Sequence, residues 1–200
     1  FSAAEGYVDG PITGQPAGGS AVWTDGYNVP AADYITVENG AMVCRQNGDD
    51  LDTWTYIEFP NQNSGDITVT FDWQYVGPTD SNIDIGFCIS DKINFEFDGN
   101  PVLGWNEQSA MCRMQQDGAV IDVRNGDWAG GGTYTAEVSF PYTDGKKIHM
   151  RYEIDLDYTD QFLTVYAQKE GESEVLLADK YGFRREYIDG LNTITIWVDG

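Results

Sequence analysis

From about residue 34 onward, apolar and polar residues alternate one by one along several stretches of the chain. Two such stretches cover residues 67–75 and 83–90. The clearest one places five apolar residues, Ile148, Met150, Tyr152, Ile154 and Leu156, between His149, Arg151, Glu153, Asp155 and Asp157. Strict alternation predicts β-strands with one face in a core and the other in water.

Short segments rich in glycine, asparagine and aspartate separate these stretches, at 38–40, 61–65, 77–80, 116–118, 125–127 and 143–145. About a dozen strands at this spacing predict an all-β fold, an antiparallel two-sheet β-sandwich of the jelly-roll type. We expect one domain over residues 1–200, with a long loop at 9–20 and a short helical turn at 183–187. The 23 glycines, 12 tyrosines and 6 tryptophans favour the same strands and tight turns.

The charge balance excludes two classes of partner. Eleven Lys and Arg face 33 Asp and Glu, a net charge of −22, whereas nucleic acids and anionic membranes are bound through clustered basic groups. A surface of this charge suits metal cations, neutral glycans, cationic partners or a salty medium. No apolar stretch reaches the length of a membrane span. We expect a secreted or cell-surface protein, present here as a mature or excised piece without its leader.

Three stretches of the sequence carry a family resemblance. The segment Glu5-Gly6-Tyr7-Val8-Asp9-Gly10, followed by Thr13-Gly14-Gln15 and Trp23, resembles the start of concanavalin A-like lectin and glucanase domains of exported bacterial proteins. Residues 66–91 and 148–168 are similar to the central strands of that superfamily. The resemblance implies a jelly roll with a glycan-facing sheet, but no particular activity, because this fold hosts lectins, hydrolases, lyases and structural proteins.

Hydrolysis is one enzymatic alternative within this family. Its glycosidases carry alternating carboxylates on one strand, so that a nucleophile and an acid flank the scissile bond. Glu153, Asp155 and Asp157 have a similar spacing, with Asp where the acid Glu is expected. The simpler interpretation of these residues is a solvated strand face that ends in an acidic turn.

Polysaccharide elimination is the second enzymatic alternative. Jelly-roll lyases neutralise a uronate carboxylate with one group and remove the α-proton with another. His149, the only histidine, alternates onto the same face as Arg151, and Tyr166 lies on the following stretch. The Arg-x-Glu-x-Arg strand of those enzymes is absent from the sequence. These residues therefore form only a candidate catalytic set.

Binding without catalysis requires less of the sequence, because sugars are held by aromatic faces and by planar polar groups. The polar positions of the predicted strands supply eight candidates: Asp72, Gln74, Asp84, Arg113, Gln115, Arg124, Arg151 and Glu153. Trp105, Trp128 and Tyr134 fall in or beside predicted loops that could frame such a face, whereas alternation assigns Trp73 to the core. If the arginines share one face, an anionic glycan becomes plausible in spite of the net charge.

A calcium site is suggested by the acidic residues, because Ca²⁺ is bound by clustered oxygen ligands. Several jelly-roll binding modules join their first and last strands through a structural Ca²⁺, and Glu5 and Asp199 resemble the ligand pair. Further acidic groups occur at 49–52 and at 155–160, without the spacing of an EF-hand. We expect Glu5 and Asp199 to be the ligands of any such ion.

The three cysteines, Cys44, Cys88 and Cys112, lack metal-type spacing. A disulfide between Cys88 and Cys112 is the preferred pairing, because the strands that carry them are expected to be neighbours. Three buried free thiols are the alternative.

The sequence therefore predicts a carbohydrate-binding, lectin-like domain whose partner is a polysaccharide or another glycan. The alternatives are a polysaccharide-degrading enzyme and a structural subunit that self-associates through exposed strand edges. The binding hypothesis supposes that Asp72, Asp84, Arg151 and Glu153 project from the same side of one sheet.

Overall fold

Strands make up nearly all of the regular structure. The computed structural model describes residues 3–26, 34–45, 53–77, 84–90, 96–97, 100–101, 108–115, 118–127, 131–157, 161–184 and 190–199. Besides a 3-10 helix at Ala3–Glu5, these residues contain the following strands: β1 (Gly10–Pro11), β2 (Thr24–Asp25), β3 (Ile35–Glu38), β4 (Ala41–Cys44), β5 (Thr53–Gln62), β6 (Asp66–Gln74), β7 (Asp84–Ser90), β8 (Glu96–Phe97), β9 (Asn100–Pro101), β10 (Ala110–Gln115), β11 (Val120–Gly126), β12 (Gly132–Thr135), β13 (Lys147–Asp155), β14 (Phe162–Lys169), β15 (Val175–Gly182) and β16 (Leu191–Asp199). Within these ranges no helix is long and apolar enough to cross a membrane.

Two large antiparallel sheets form the body of the fold. The larger sheet has the strand order β12-β11-β10-β7-β16-β5-β2, and the smaller has the order β15-β14-β13-β6. A three-stranded sheet (β1-β3-β4) and a two-stranded hairpin (β8-β9) complete the described part. Consecutive strands are placed in different sheets at several points, as with β6 and β7, so that the chain crosses repeatedly between the two layers.

The main core lies between the two large sheets. Ile148 and Met150 of β13 are completely buried, and they belong to one cluster with Phe87 of β7. The Phe71 and Phe87 rings stack across the two sheets with centroids 3.9 Å apart. The Tyr152 hydroxyl of β13 donates a hydrogen bond to the Phe87 carbonyl oxygen at 3.2 Å. The alternation of residues thus produces the predicted all-β sandwich.

The β3–β4 hairpin illustrates how local sequence sets these turns. Glu38 pairs with Ala41, and the two central residues, Asn39 and Gly40, have φ angles of 50° and 79°. Positive φ at both central positions is the geometry that matches strand twist in two-residue hairpins, and Asn-Gly adopts it readily.

The predicted loop at 9–20 is more ordered than expected. It includes β1, and its Ile12 is completely buried in the main core. The Gln15 side chain holds the segment, accepting a hydrogen bond from Val8 N and donating to the carbonyl oxygens of Val8 and Pro11. This side chain supplies hydrogen bonds that strand pairing provides elsewhere. Of the predicted helical turn, residues 185–187 lie outside the described residues; Phe183 is buried.

The predicted disulfide between Cys88 and Cys112 is wrong, and all three cysteines are free thiols. β7 and β10 are neighbours as expected, but Cys88 pairs with Met111 and Cys112 pairs with Phe87. Directly paired residues point to the same side of a sheet, so Cys112 faces the main core and Cys88 faces the opposite side. A disulfide cannot be formed across the thickness of a sheet.

We therefore expect Cys88 and Cys112 to be unreactive toward Ellman's reagent at pH 8 in the native protein. Burial raises the pKa of both thiols, and the thiolate is the reactive form. In denaturant all three cysteines should react without prior reduction, and a dithiothreitol-treated sample should give the same count. A count of one thiol in denaturant would show that a disulfide exists.

Candidate functional site

Each of the two large sheets has a side that faces away from the main core, and the predicted ligand-binding residues are divided between these two sides. Asp72, Gln74, Arg151 and Glu153 project from the smaller sheet, on the surface that we call the four-strand surface. Asp84, Arg113, Gln115 and Arg124 project from the outer side of the larger sheet, the seven-strand surface. Trp105 and Trp128 lie outside the described residues. The hypothesis that one surface carries all of these groups is therefore wrong, because β6 and β7 belong to different sheets.

Arg151 is held by neighbouring side chains on the four-strand surface. Its guanidinium donates to both carboxylate oxygens of Glu174, at 2.6 and 3.2 Å, and to Glu153. It also lies over the Tyr166 ring, 3.8 Å from the centroid. The bond with Arg151 lowers the pKa of Glu174. Two carboxylates neutralise this arginine, so that it is poorly suited to receive a uronate.

The other polar groups of the four-strand surface are also paired. His149 Nδ1 lies 2.9 Å from an Asp72 carboxylate oxygen, and Lys147 lies 3.6 Å from the other. The Gln74 amide donates to the Gly145 carbonyl oxygen, and the Gln168 amide donates to that of Glu172 at 2.8 Å. The candidate lyase residues His149, Arg151 and Tyr166 are therefore close together, but their polar atoms bond to this surface itself.

The carboxylates of the candidate hydrolase set serve the backbone where β13 ends. Asp155 accepts a hydrogen bond from Asp157 N at 3.0 Å, and Asp157 accepts one from Gly65 N at 2.6 Å. The second bond ties the end of β13 to the turn between β5 and β6. Glu153 remains on the sheet, bonded to Arg151. Asp155 and Asp157 therefore accept backbone hydrogen bonds at the end of β13, which accounts for acidic residues at this spacing.

The seven-strand surface has a different composition. Its central row runs directly across five strands in the order Asp122, Arg113, Gly86, Trp197 and Trp54. The two indole rings lie 5.7 Å apart at an angle of 33°. Gly86 leaves room for the indole, because a Cβ at this position would overlap Trp197 Nε1. Trp54 and Trp197 are buried, and with Cys88 and Met111 they form a second, smaller core cluster.

Arg113, beside this cluster, forms ion pairs with two carboxylates. Its Nε and Nη2 donate to Asp122 at 2.9 and 3.2 Å, and its Nη1 donates to Asp84 at 2.6 Å. Only 14% of the Asp84 side chain and 12% of the Asp122 side chain are exposed. Burial raises the pKa of Asp122, and the bond from Arg113 opposes this shift. Arg113 is thus electrically neutralised by its own sheet.

Tyr134 of β12 lies against two arginines. The guanidinium carbon of Arg113 is 3.8 Å and that of Arg124 is 5.0 Å from its ring centroid. Burial raises the pKa of Tyr134, while the positive charges of Arg113, Arg124 and Arg184 oppose the rise. Two guanidinium groups therefore lie against one aromatic ring on a strongly acidic protein.

Several buried polar atoms of the larger sheet have no hydrogen-bond partner among the described residues: Gln108 Nε2, Ser109 Oγ, Arg124 Nε and Thr195 Oγ1. We call these four residues the polar patch. Gln108 is placed on the seven-strand surface by Ser90, whose hydroxyl donates to Gln108 Oε1 at 2.8 Å.

The strand register relates the ends of the polar patch. Thr195 pairs with Cys88, and Cys88 pairs with Met111. The next residue after Met111, Cys112, pairs with Val123, and Arg124 follows Val123. Arg124 and Thr195 therefore lie on the first and last of four adjacent strands, three strand spacings or about 14 Å apart. Gln108, Ser109 and Thr195 are at most 1% exposed, whereas Arg124 is partly exposed, so that a ligand would contact Arg124 first.

The sequence identified Arg113, Arg124 and Tyr134 but missed the remainder of this site. Gln108 and Ser109 precede β10, and the predicted candidates begin at Arg113. Trp197 and Thr195 lie in β16, whose alternation shows that they share a face but not which face. A usable signal was Gly86, since a glycine inside a strand often marks the close approach of a bulky group.

The two expected calcium ligands, Glu5 and Asp199, are only partly described by the structure. Glu5 is an exposed residue of the 3-10 helix, and the Asp199 side chain lies outside the described residues. Asp199 pairs in register with Asp84 at the edge of the seven-strand surface. In the part of the chain that the structure describes, no three His, Cys, Asp or Glu side chains are arranged to hold a metal. The calcium hypothesis stays a prediction.

Comparisons with known proteins include a weak likeness to a solved lectin structure. No model of a protein family matches the chain, and no curated protein matches it. Among solved structures, the chain is similar to the metal-free form of lectin I-B4 from Griffonia simplicifolia. The identity is 11%, the TM-score is 0.37, and the alignment covers 90% of this chain and 92% of that one. The fold assignment rests on the sheets and the core described above.

Proposed function

We propose that the protein is a carbohydrate-binding domain and that its site is the polar patch on the seven-strand surface. The observation that carries this proposal is the set of four buried polar groups, on one side of one sheet, without partners among the described residues. A buried donor or hydroxyl without a partner costs about 1–3 kcal/mol. Groups of this kind are normally matched by a ligand or by ordered water.

A glycan suits the chemistry of these groups. Sugar hydroxyls both donate and accept hydrogen bonds, so that they can pair with an amide, a hydroxyl and a guanidinium in the same site. Tyr134 adds an aromatic side chain, and the extent of the patch exceeds that of a single hydrogen-bonding group. Planar polar groups next to aromatic rings are typical of sites that orient a polar ligand.

The four-strand surface supports binding less well. Arg151, His149, Gln74 and Gln168 each bond to a neighbouring group of the same surface. A ligand would first have to break these bonds, and it would gain little in return. The same pairing weakens the lyase hypothesis, because Glu153 and Glu174 beside Arg151 would repel a uronate.

Replacing Thr195 with valine separates binding from folding. The change removes a hydroxyl that has no partner and keeps the shape of the side chain, so we expect stability to be unchanged or higher. Loss of one hydrogen bond should weaken glycan binding about tenfold. Affinity electrophoresis in gels containing laminarin, xylan, galactomannan, pectin or alginate measures binding, and thermal melting measures stability.

Thr193→Val is the matched control. Thr193 lies on the same strand and face, but its hydroxyl already bonds to the Asn192 side chain at 3.0 Å. We expect its glycan affinity to change less than about twofold. If no polysaccharide retards the wild-type protein, or if the two variants weaken binding equally, the proposed site is wrong.

A further inference from the structure

Arg124 is an uncompensated cation on an acidic protein. The chain has 33 acidic residues against 11 basic ones. Nevertheless, Arg124 forms no ion pair and no hydrogen bond with a carboxylate among the described residues, and its Nε is buried without a partner. Its one described interaction is with the Tyr134 ring. A partly buried guanidinium usually has a carboxylate or a phosphate as its partner.

The neighbours of Arg124 do not replace that missing anion. Two acidic groups of the seven-strand surface, Asp84 and Asp122, are both bonded to Arg113. The Arg184 backbone N donates to the Ser109 carbonyl oxygen at 3.0 Å, which brings a further arginine to the edge of the polar patch. The charges of Arg113, Arg124, Asp84 and Asp122 sum to zero, and within this described group Arg124 is the member without a hydrogen bond to an opposite charge.

The net charge of −22 does not exclude an anionic ligand here. At an ionic strength of about 0.15 M the Debye length is about 8 Å, so that distant surface charges are screened. The potential at the polar patch is then set by the groups around it. The charge of a partly buried group such as Arg124 is screened less by salt than the charge of an exposed group.

We propose that the polar patch selects an acidic glycan, and that Arg124 binds the carboxylate or sulfate of one of its sugar units. This inference rests on the proposed carbohydrate-binding function and adds the class of ligand. The guanidinium presents a planar pair of donors that matches a carboxylate, and Tyr134 fixes its plane from one side.

Polygalacturonate and its fully methyl-esterified form provide the test, because they share a backbone and differ in the carboxylate charge. We expect the wild-type protein to bind polygalacturonate at least tenfold more tightly at about 0.15 M salt. Arg124→Met should lower that affinity about 10-fold to 100-fold, since hydrogen bonds to charged groups are the strongest of their kind. Binding of the methyl ester should change less than about threefold, and Arg124→Lys should restore part of the loss.

Arg151→Met is the matched control on the other surface. Arg151 also lies over a tyrosine ring, but it is paired with Glu174 and Glu153. The control should leave the preference for polygalacturonate unchanged. Circular dichroism of each variant verifies that the fold is retained before binding is compared.

Dextran sulfate distinguishes the two sources of negative charge. Tighter binding of dextran sulfate than of polygalacturonate, lost in Arg124→Met, would support the anion site and identify sulfate as its ligand. Equal affinity of the wild-type protein for polygalacturonate and for the methyl ester, without binding of dextran sulfate, would overturn the acidic-glycan inference and leave the carbohydrate-binding function standing. Failure to bind any of the polysaccharides would overturn both.

Discussion

Gly86→Ala is expected to destabilise the protein by about 3 kcal/mol, the upper range for an overpacked core. The new Cβ would overlap the indole ring of Trp197, which is completely buried and stacks near Trp54. Neither ring can move into water without exposing the second core cluster. Urea unfolding followed by tryptophan fluorescence measures the loss.

The double variant with Trp197→Phe identifies the cause of this effect. A smaller ring leaves space for the alanine, so that the two changes together should cost at least about 1 kcal/mol less than the sum of their separate effects. Additive losses would show that the cost of Gly86→Ala arises from something other than the indole. No backbone strain is involved, because Gly86 is absent from the residues with positive φ.

Arg113→Met should have the second largest effect. We expect it to lower the free energy of unfolding by about 3 kcal/mol at pH 7, because it removes the Arg113 cation from two poorly exposed carboxylates, Asp84 and Asp122. Arg151→Met is its control, because Arg151 also pairs with two carboxylates. Those of Glu153 and Glu174 are 46% and 36% exposed. We expect the control to lose less than about 1 kcal/mol. Equal losses in the two variants would contradict the role assigned to burial.

The loss in Arg113→Met should depend on pH. Burial already raises the pKa of Asp122, and removal of Arg113 takes away the attraction that opposes this rise. A carboxyl with a higher pKa in the folded than in the unfolded state destabilises the fold when it ionises, and that cost vanishes once it is protonated. The difference from the wild type should therefore be largest near pH 7 and shrink toward about pH 4, as unfolding curves at several pH values will show.

Local sequence was sufficient for the strands and for several turns. The alternation at 148–156 predicted which side chains of β13 are buried, and Ile148, Met150 and Ile154 are indeed inside. It also assigned Trp73 to the core, against which it packs. These predictions succeed because side-chain direction in a strand has a period of two whatever the partner strand.

Alternation does not identify the sheet to which a strand belongs, and here the sequence-based site failed. Asp72 and Asp84 are both polar positions of clear strands, but they lie on opposite sides of the sandwich. The same ambiguity produced the wrong disulfide, because neighbouring strands can present Cys88 and Cys112 to opposite faces. Register, and not strand identity, decides which side chains meet.

The sequence by itself determined an acidic β-sandwich and the inward or outward direction of most strand residues, because both follow from composition and from a period of two. Only the tertiary structure decided which polar residues are already paired and which are not. Arg151 and Arg124 are alike as strand arginines, yet Arg151 is bonded to two carboxylates, whereas the one described side-chain contact of Arg124 is with the Tyr134 ring. That difference depends on strands far apart in the chain, and it is the reason why we propose a glycan site on the larger sheet.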